Sequence, residues 1–422
     1  MKLIGLICMY LLLFCSHLSA DPINEDDEIS LLIEKVWTNW NQSNIEINPD
    51  TTLDTPEMIK KAGYPAEAHV IQTEDGYLLT LHRIPGGNNS LPVLLQHGLL
   101  VSSFDWVILG KNKALAYLLA DEGYDVWLGN FRGNTYSKAH ISLTPSDYEF
   151  WDFSFNELGL YDLPAMITFI TKMRSQPLHT YVGHSMGTTS FFVMASERPD
   201  VAEKVQKMVA LAPAAFTHHM KSPVRFLSPF IGAIELPNRL LFHGEFFQSD
   251  VLRFFGSSIY SDNIIVKFLF SNLMFILVGF DPKQFSYSLV PEFLSHYPAG
   301  TSTKTILHFV QVYRSDIFRK YDYGFLKNLW VYKSTKPPNY DLSKITVPIA
   351  LFYADNDLLI NIQDVIKLHN LLPKVMDMYR VSWDKFNHVD YMWAKDARKL
   401  VYNHILEIMK ENPNDTYSNN LI

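Results

Sequence analysis

The chain has 422 residues, 48% of them hydrophobic and 14% aromatic, which supplies a large core and excludes a disordered or fibrous protein. Its 36 Lys and Arg against 44 Asp and Glu leave a formal charge of −8, which argues against nucleic acid as a partner. The aromatic content fits an apolar substrate as well as it fits a densely filled core.

At the N-terminus, Lys2 precedes an apolar run over residues 3–15 and then Ser16-His17-Leu18-Ser19-Ala20. This is the pattern of a secretory signal peptide over residues 1–20, cut after Ala20. The run is too short for a typical membrane span. Both cysteines, Cys8 and Cys15, fall inside it, so the mature chain is expected to rely on its core and not on disulfides. Residues 21–50 are acidic and polar, an extension or pro-segment with an amphipathic helical pattern over 29–40. Three N-glycosylation acceptor triplets begin at Asn41, Asn88 and Asn414, and each lies in a polar setting that suits an exposed, exported surface.

Residues 68–83 alternate apolar and polar around Glu74-Asp75-Gly76 and predict a β-hairpin. Further strands are expected at 93–96, 124–128, 178–182, 208–211, 349–353 and 378–383, with helices at 114–122, 160–173 and 188–198 between them. Short apolar strands alternating with helices imply an α/β fold whose mainly parallel sheet is covered on both faces. The alternation stops over 216–339, a stretch dense in Phe, Leu and Ile that predicts a mostly helical cap or lid. Its most apolar run, 264–280, is interrupted by Lys267, Ser271 and Asn272, which favours a cap helix over a membrane helix. The core is therefore expected to be discontinuous, 51–215 and 340–410, followed by a polar tail at 411–422.

Between the strand ending at Val182 and the helix beginning at Thr188 stands Gly183-His184-Ser185-Met186-Gly187. A turn this tight holds Ser185 in a strained conformation that exposes its hydroxyl, and the flanking glycines remove Cβ atoms that would collide there. An activated serine needs a base, and the base needs a carboxylate to hold its tautomer. In the α/β-hydrolase layout these follow in the chain order Ser, acid, His. The strand at 349–353 runs into Asp355-Asn356-Asp357, and the last predicted strand is followed by Asn387-His388. Asp355 and Asp357 both stand where the acid belongs, while Asp390 is read as structural. Oxyanion donors are expected from the backbone N–H of Met186 and from Leu99 in Gln96-His97-Gly98-Leu99-Leu100. His97 and His184 lack a ligand cluster at metal-binding spacing. They are read as loop-setting residues, and neither metal nor cofactor is expected.

These segments, with Tyr124-Asp125-Val126-Trp127-Leu128-Gly129-Asn130, Arg132-Gly133-Asn134, Tyr161-Asp162-Leu163-Pro164-Ala165, Pro298-Ala299-Gly300-Thr301-Ser302 and Asn387-His388-Val389-Asp390, resemble the acid lipases of the gastric and lysosomal type. The resemblance runs from about residue 54 to 407. It implies a triad of Ser185, Asp357 and His388, oxyanion donors at Leu99 and Met186, a cap over the site, and a secreted or lysosomal destination. The implied activity is serine-dependent hydrolysis of long-chain lipid esters, acylglycerols or sterol esters, through an acyl-enzyme at a lipid surface. The alternatives are a shorter-chain esterase or thioesterase, and a catalytically silent lipid-binding protein. Two departures stand out. Met186 replaces the family's usual Gln, and Ser261, Phe270 and Val278 stand where mammalian members carry cap cysteines.

Overall fold

A computed structural model describes residues 49–229, 243–246 and 264–411. The chain divides into two compact units, Met1–Glu46 and Ile47–Ile422, and every described residue belongs to the second. The predicted signal peptide, most of the acidic extension, Ser261, and the acceptors Asn41 and Asn414 lie outside the described residues.

The expected hairpin is present as β1 (Glu67–Gln72) and β2 (Tyr77–Ile84), paired antiparallel with Glu67 opposite Arg83. Then follow β3 (Pro92–Gln96), β4 (Asp125–Gly129), the short β5 (Ala139–His140), β6 (Thr180–His184), β7 (Met208–Leu211), the short β8 (Glu245–Phe246) and β9 (Thr301–Ser302), β10 (Ile349–Tyr353) and β11 (Val375–Arg380). The main sheet has the order β1-β2-β4-β3-β6-β7-β10-β11, with β5 on β2. All pairings from β4 to β11 are parallel. Every residue of β3, β4, β6 and β7 is buried, which is why these strands read as continuous apolar runs and not as alternations. At the edge, β1 alternates between half-buried and exposed positions until Ile71.

Helices cover the faces: α1 (Thr55–Lys61), α2 (Leu115–Asp121), α3 (Leu163–Arg174), α4 (Met186–Glu197), α5 (Ile264–Val278), α6 (Val290–His296), α7 (Thr303–Ser315), α8 (Phe325–Tyr332), α9 (Ile362–Leu371) and α10 (Asn403–Lys410). From Met186 to Ser196 every residue of α4 is buried, with the hydroxyls of Thr188, Thr189, Ser190 and Ser196 each donating to a backbone carbonyl, as buried polar groups require. Between β7 and β10 the described residues hold α5 to α8 and the two-stranded ribbon of β8 and β9. Among the described residues no helix is long and apolar enough to cross a membrane.

The last strand departs from the sequence expectation, running Val375–Arg380 and not 378–383. Asp377 sits in its middle and meets His404 on α10 at 2.6 Å, so a paired charge interrupts the apolar pattern. Trp383 lies beyond the strand and donates its indole N–H to Asp281 at 2.6 Å. Leu178 falls outside β6 and makes an isolated bridge to Val205.

The quoted motifs hold this frame together. Arg132, in the loop after β4, is buried between Asp75 at the hairpin turn and Asp162 just before α3, each 2.6 Å away. A buried guanidinium is tolerable only when its donors are met in this way. Asn134 donates to Asn130 at 2.9 Å, and Asn130 accepts from the Ser103 backbone at 3.0 Å. The loops at the carboxyl ends of β3 and β4 are thus cross-linked.

Candidate active site

Because β3 and β6 are adjacent and parallel, with Gln96 opposite Gly183, the loops leaving their carboxyl ends lie side by side. β4 has taken the other flank of β3, so the chain diverges at this point, the usual location of a site in such sheets.

Ser185 occupies the turn from β6 into α4 with φ 50° and ψ −116°, a left-handed strained conformation for a residue bearing a Cβ. Its amide donates to Leu211 at 3.0 Å, and its carbonyl accepts from Thr188 at 2.8 Å. The glycines are steric necessities. A Cβ on Gly187 would lie 2.6 Å from the Gln96 carbonyl oxygen, and one on Gly183 would lie 3.0 Å from the Gly187 carbonyl carbon. Gly98 approaches from the β3 side, where a Cβ would stand 3.3 Å from the Ser185 Cβ.

Ser185 Oγ lies 2.9 Å from His388 Nε2. On the other side of the ring, His388 Nδ1 lies 2.8 Å from Asp357 Oδ2. Asp357 is buried at 3% exposure, and its second oxygen accepts from the backbone N–H groups of Leu359 and Ile360, each at 2.8 Å. Those donors occupy one oxygen, so the other remains for the imidazole. Asp355 points elsewhere. It is exposed and pairs with Arg380, whose Nε donates to it at 2.8 Å. Asp390 accepts from the Asn387 amide at 2.7 Å, and burial raises its carboxyl well above the ordinary range.

Leu99 follows Gly98 in a half-buried turn, and the next residue, Leu100, has φ 64°. The Leu100 carbonyl accepts from Ala299 at 2.7 Å, so the Pro298-to-Ser302 motif braces the turn that carries Leu99. Met186 opens α4, and its side chain is 2% exposed within the core. His97 donates from Nδ1 to the Gly98 carbonyl at 2.7 Å, and its Nε2 accepts from the Phe131 amide at 3.1 Å. His184 donates from Nε2 to the His388 carbonyl at 2.9 Å. Burial pulls both imidazoles down, His97 to about 4 and His184 to about 3, so each is a neutral strut joining two loops. Among the described residues no group of three His, Cys, Asp or Glu side chains is placed to hold a metal ion.

One part of the site carried no signal in the sequence. The end of α5 enters between the acid loop and the histidine loop, where the Val278 carbonyl accepts from Leu358 at 3.2 Å and from His388 at 3.5 Å. Asn387 donates to the Gly279 carbonyl at 2.9 Å, and Asn356 reaches across to the Lys385 carbonyl at 2.6 Å. A glycine after an apolar run reads as an ordinary helix stop, so nothing local marked Gly279 as a junction.

Asn88 is exposed in the turn between β2 and β3.

Two family models match the sequence, a partial α/β-hydrolase lipase region over residues 55–110 and the α/β-hydrolase fold over residues 92–394. The chain is 42% identical over 376 residues to Lipase 1 of Drosophila melanogaster, covering 87% of this chain and 82% of that one. It is 39% identical over 376 residues to gastric triacylglycerol lipase of Rattus norvegicus, covering 86% and 93%. Against human lysosomal acid lipase/cholesteryl ester hydrolase the identity is 37% over 379 residues, covering 86% and 92%. A solved Sulfolobus solfataricus protein superimposes with a TM-score of 0.53 at 16% identity, over 79% of this chain and 89% of its own, a likeness of fold alone.

Proposed function

Because this chain belongs to the acid-lipase family of the α/β hydrolases, we propose that it hydrolyses long-chain carboxylic esters of lipids, acylglycerols or sterol esters, with Ser185, His388 and Asp357 as its triad. The observation that carries the assignment is the pair of hydrogen bonds, 2.9 Å from Ser185 to His388 and 2.8 Å from His388 to Asp357. Ser185 Oγ–H donates its proton to His388 Nε2 as the oxygen attacks the ester carbonyl carbon. Asp357 accepts from Nδ1–H and stabilises the imidazolium. The carbonyl oxygen becomes an oxyanion, held by the N–H groups of Met186 and Leu99. As the tetrahedral intermediate collapses, the C–O bond to the alcohol breaks, and the imidazolium protonates the leaving oxygen. Water then attacks the acyl-enzyme with His388 as base, releasing the fatty acid and restoring Ser185.

Residues 51–215 and 340–410 act as the hydrolase core and 216–339 as the cap. Supporting a role for the cap at a lipid surface, α5 presents an outward stripe of Leu269, Leu273 and Ile276, continued by Phe280, all exposed. A stripe of this kind is stable in water only at a cost that a lipid phase would remove. The secretory pathway is the destination, with export or delivery to lysosomes. The exposed acceptor Asn88 supports passage through it.

The test is hydrolysis of a panel of acylglycerols and sterol esters by the purified protein, from about pH 4 to 8 to span carboxylate and histidine titration. Ser185→Ala should lower kcat by roughly 10⁴-fold or more. Substantial hydrolysis by that variant would overturn the assignment.

A further inference from the structure

Away from the triad loops, α8 (Phe325–Tyr332) carries an apolar surface that the catalytic reading does not use. Leu326 is 79% exposed, Trp330 73% and Phe325 63%, and Leu329 and Val331 are also exposed. Single exposed apolar side chains are ordinary, but five within seven residues of one short helix are not. The spacing explains the geometry. Phe325, Leu326, Leu329 and Trp330 stand at i, i+1, i+4 and i+5 and share one face. Asn328 and Tyr332, four apart, form the side of the helix that is fastened to the protein. Asn328 is buried, donates to Asp322 at 2.8 Å and accepts from the Tyr323 amide at 2.9 Å. Tyr332 donates to the Tyr321 carbonyl at 2.9 Å. The apolar face is therefore held outward by bonds on the inner one.

Charge says what covers it. From residue 322 to 341 the sequence has Lys327, Lys333 and Lys336 against Asp322 and Asp341 at its two ends, with Asp322 turned to Asn328 and Arg319, so the charges beside the apolar face are cationic within a chain whose formal charge is −8. All three lysines are exposed. Lys333 folds back to donate to the Trp330 carbonyl at 3.0 Å, and Lys327 lies 4.5 Å from the centre of the Tyr323 ring. Apolar and Trp side chains on one face with lysines at the rim are the composition of a helix that lies in a membrane interface, with rings and aliphatic chains among the acyl groups and ammonium groups at the phosphates.

We propose that α8 is an interfacial anchor that binds an anionic lipid surface through Phe325, Leu326, Leu329 and Trp330, with Lys327, Lys333 and Lys336 against the headgroups. The proposal deepens the lipid-ester reading and rests on it for the nature of the partner, but it concerns docking and not bond cleavage.

The experiment uses the full chain carrying Ser185→Ala, so that vesicles stay intact, in co-sedimentation with phosphatidylcholine vesicles and with vesicles of phosphatidylcholine mixed with phosphatidylglycerol. Binding is expected to be tighter to the anionic vesicles and to weaken with added salt. Leu326→Ser with Trp330→Ser should weaken binding to both by about ten-fold or more. Lys333→Gln with Lys336→Gln should remove the preference for anionic vesicles. In the Ser185 background the same substitutions should leave hydrolysis of a soluble short-chain ester unchanged, which also shows that they fold. Vesicle binding unaffected by the Leu326 and Trp330 substitutions would overturn the proposal. So would a wild-type dimer that dissociates on those substitutions without binding vesicles, since the face would then be a contact between copies of this chain. Vesicle binding as predicted with no ester hydrolysis on any substrate would sink the hydrolase reading and leave the anchor standing.

Discussion

Gly279 is the residue at which a single methyl group should disturb the proposed triad from the α5 side. A Cβ there would lie 2.1 Å from the backbone oxygen of Asn356 and 2.9 Å from the Asn387 Cβ. One neighbour precedes Asp357 in sequence and the other precedes His388. To reach ordinary contact at 3.4 Å the Asn356 carbonyl must retreat by about 1.3 Å. It is backbone, so it cannot swing aside as a side-chain tip would. The φ of 124° adds strain, of order 1–3 kcal/mol for a residue with a Cβ. Displacements near 1 Å at a reacting centre cost roughly 10²-fold in rate. Gly279→Ala is therefore expected to lower kcat on a soluble ester by about 10²-fold with KM little changed, and to slow labelling of Ser185 by an organophosphonate in parallel. Gly63→Ala is the control, because Gly63 has φ 89° with nothing within 4 Å of its Cβ position. It should cost stability and leave kcat alone. A folded Gly279→Ala protein with kcat within about three-fold of wild type would refute the idea that the α5 terminus holds the two loops in register.

Asp357→Asn should cost roughly 10⁴-fold in kcat, because the amide disfavours the imidazole tautomer that Ser185 needs. Asp355→Asn, which loses an exposed pair with Arg380, should stay within about three-fold; kcat on one soluble ester separates the two. Burial pushes the Asp105 carboxyl up to about 7 despite donation from Tyr297 and from Trp393, whereas in the unfolded chain it titrates near about 4. Between these values the folded state keeps a proton that the unfolded state has lost, so stability should fall as pH rises through the window. Asp105→Asn should match wild type below about pH 4 and exceed it in Tm by a growing margin up to about pH 7; a constant margin would argue against burial as the cause. His97→Phe leaves the buried Phe131 amide without its acceptor and should cost about 1–3 kcal/mol in denaturant unfolding.

Much of the fold was legible because the central strands are buried on both faces. β3, β7 and β10 appear in the sequence as apolar runs, and their bounds match within a residue. The edge was less legible. β11 carries Asp377, which is part-exposed at the sheet edge and pairs with His404, 27 residues later, at 2.6 Å, and local pattern cannot see a partner at that separation. The short β5, β8 and β9 were invisible for a related reason. Two residues have no period, and their pairing is set by the segments that bring them together.

The site divides along the same line. Ser185 was legible because its constraint is local: the glycines and the strained turn fall within five residues. The residue pattern left Asp355 and Asp357 open and only the family resemblance implied Asp357, because the physical choice turns on which carboxylate is spoken for. Arg380, at the end of β11, holds one, which depends on how β10 and β11 lie together, while the Leu359 and Ile360 amides turn the other inward within its own loop. The α5 junction is the extreme case. Its single glycine matters only because Asn356 and Asn387, from two separate loops, close on it. It follows that the proposed cap and the proposed triad are not independent parts. A change that moves the end of α5 must move the acid loop, the histidine loop or both, because all three share the Val278 carbonyl and the space at Gly279. Any opening of the cap that leaves the triad intact must therefore bend N-terminal to Val278, keeping this seam closed while the rest of α5 departs.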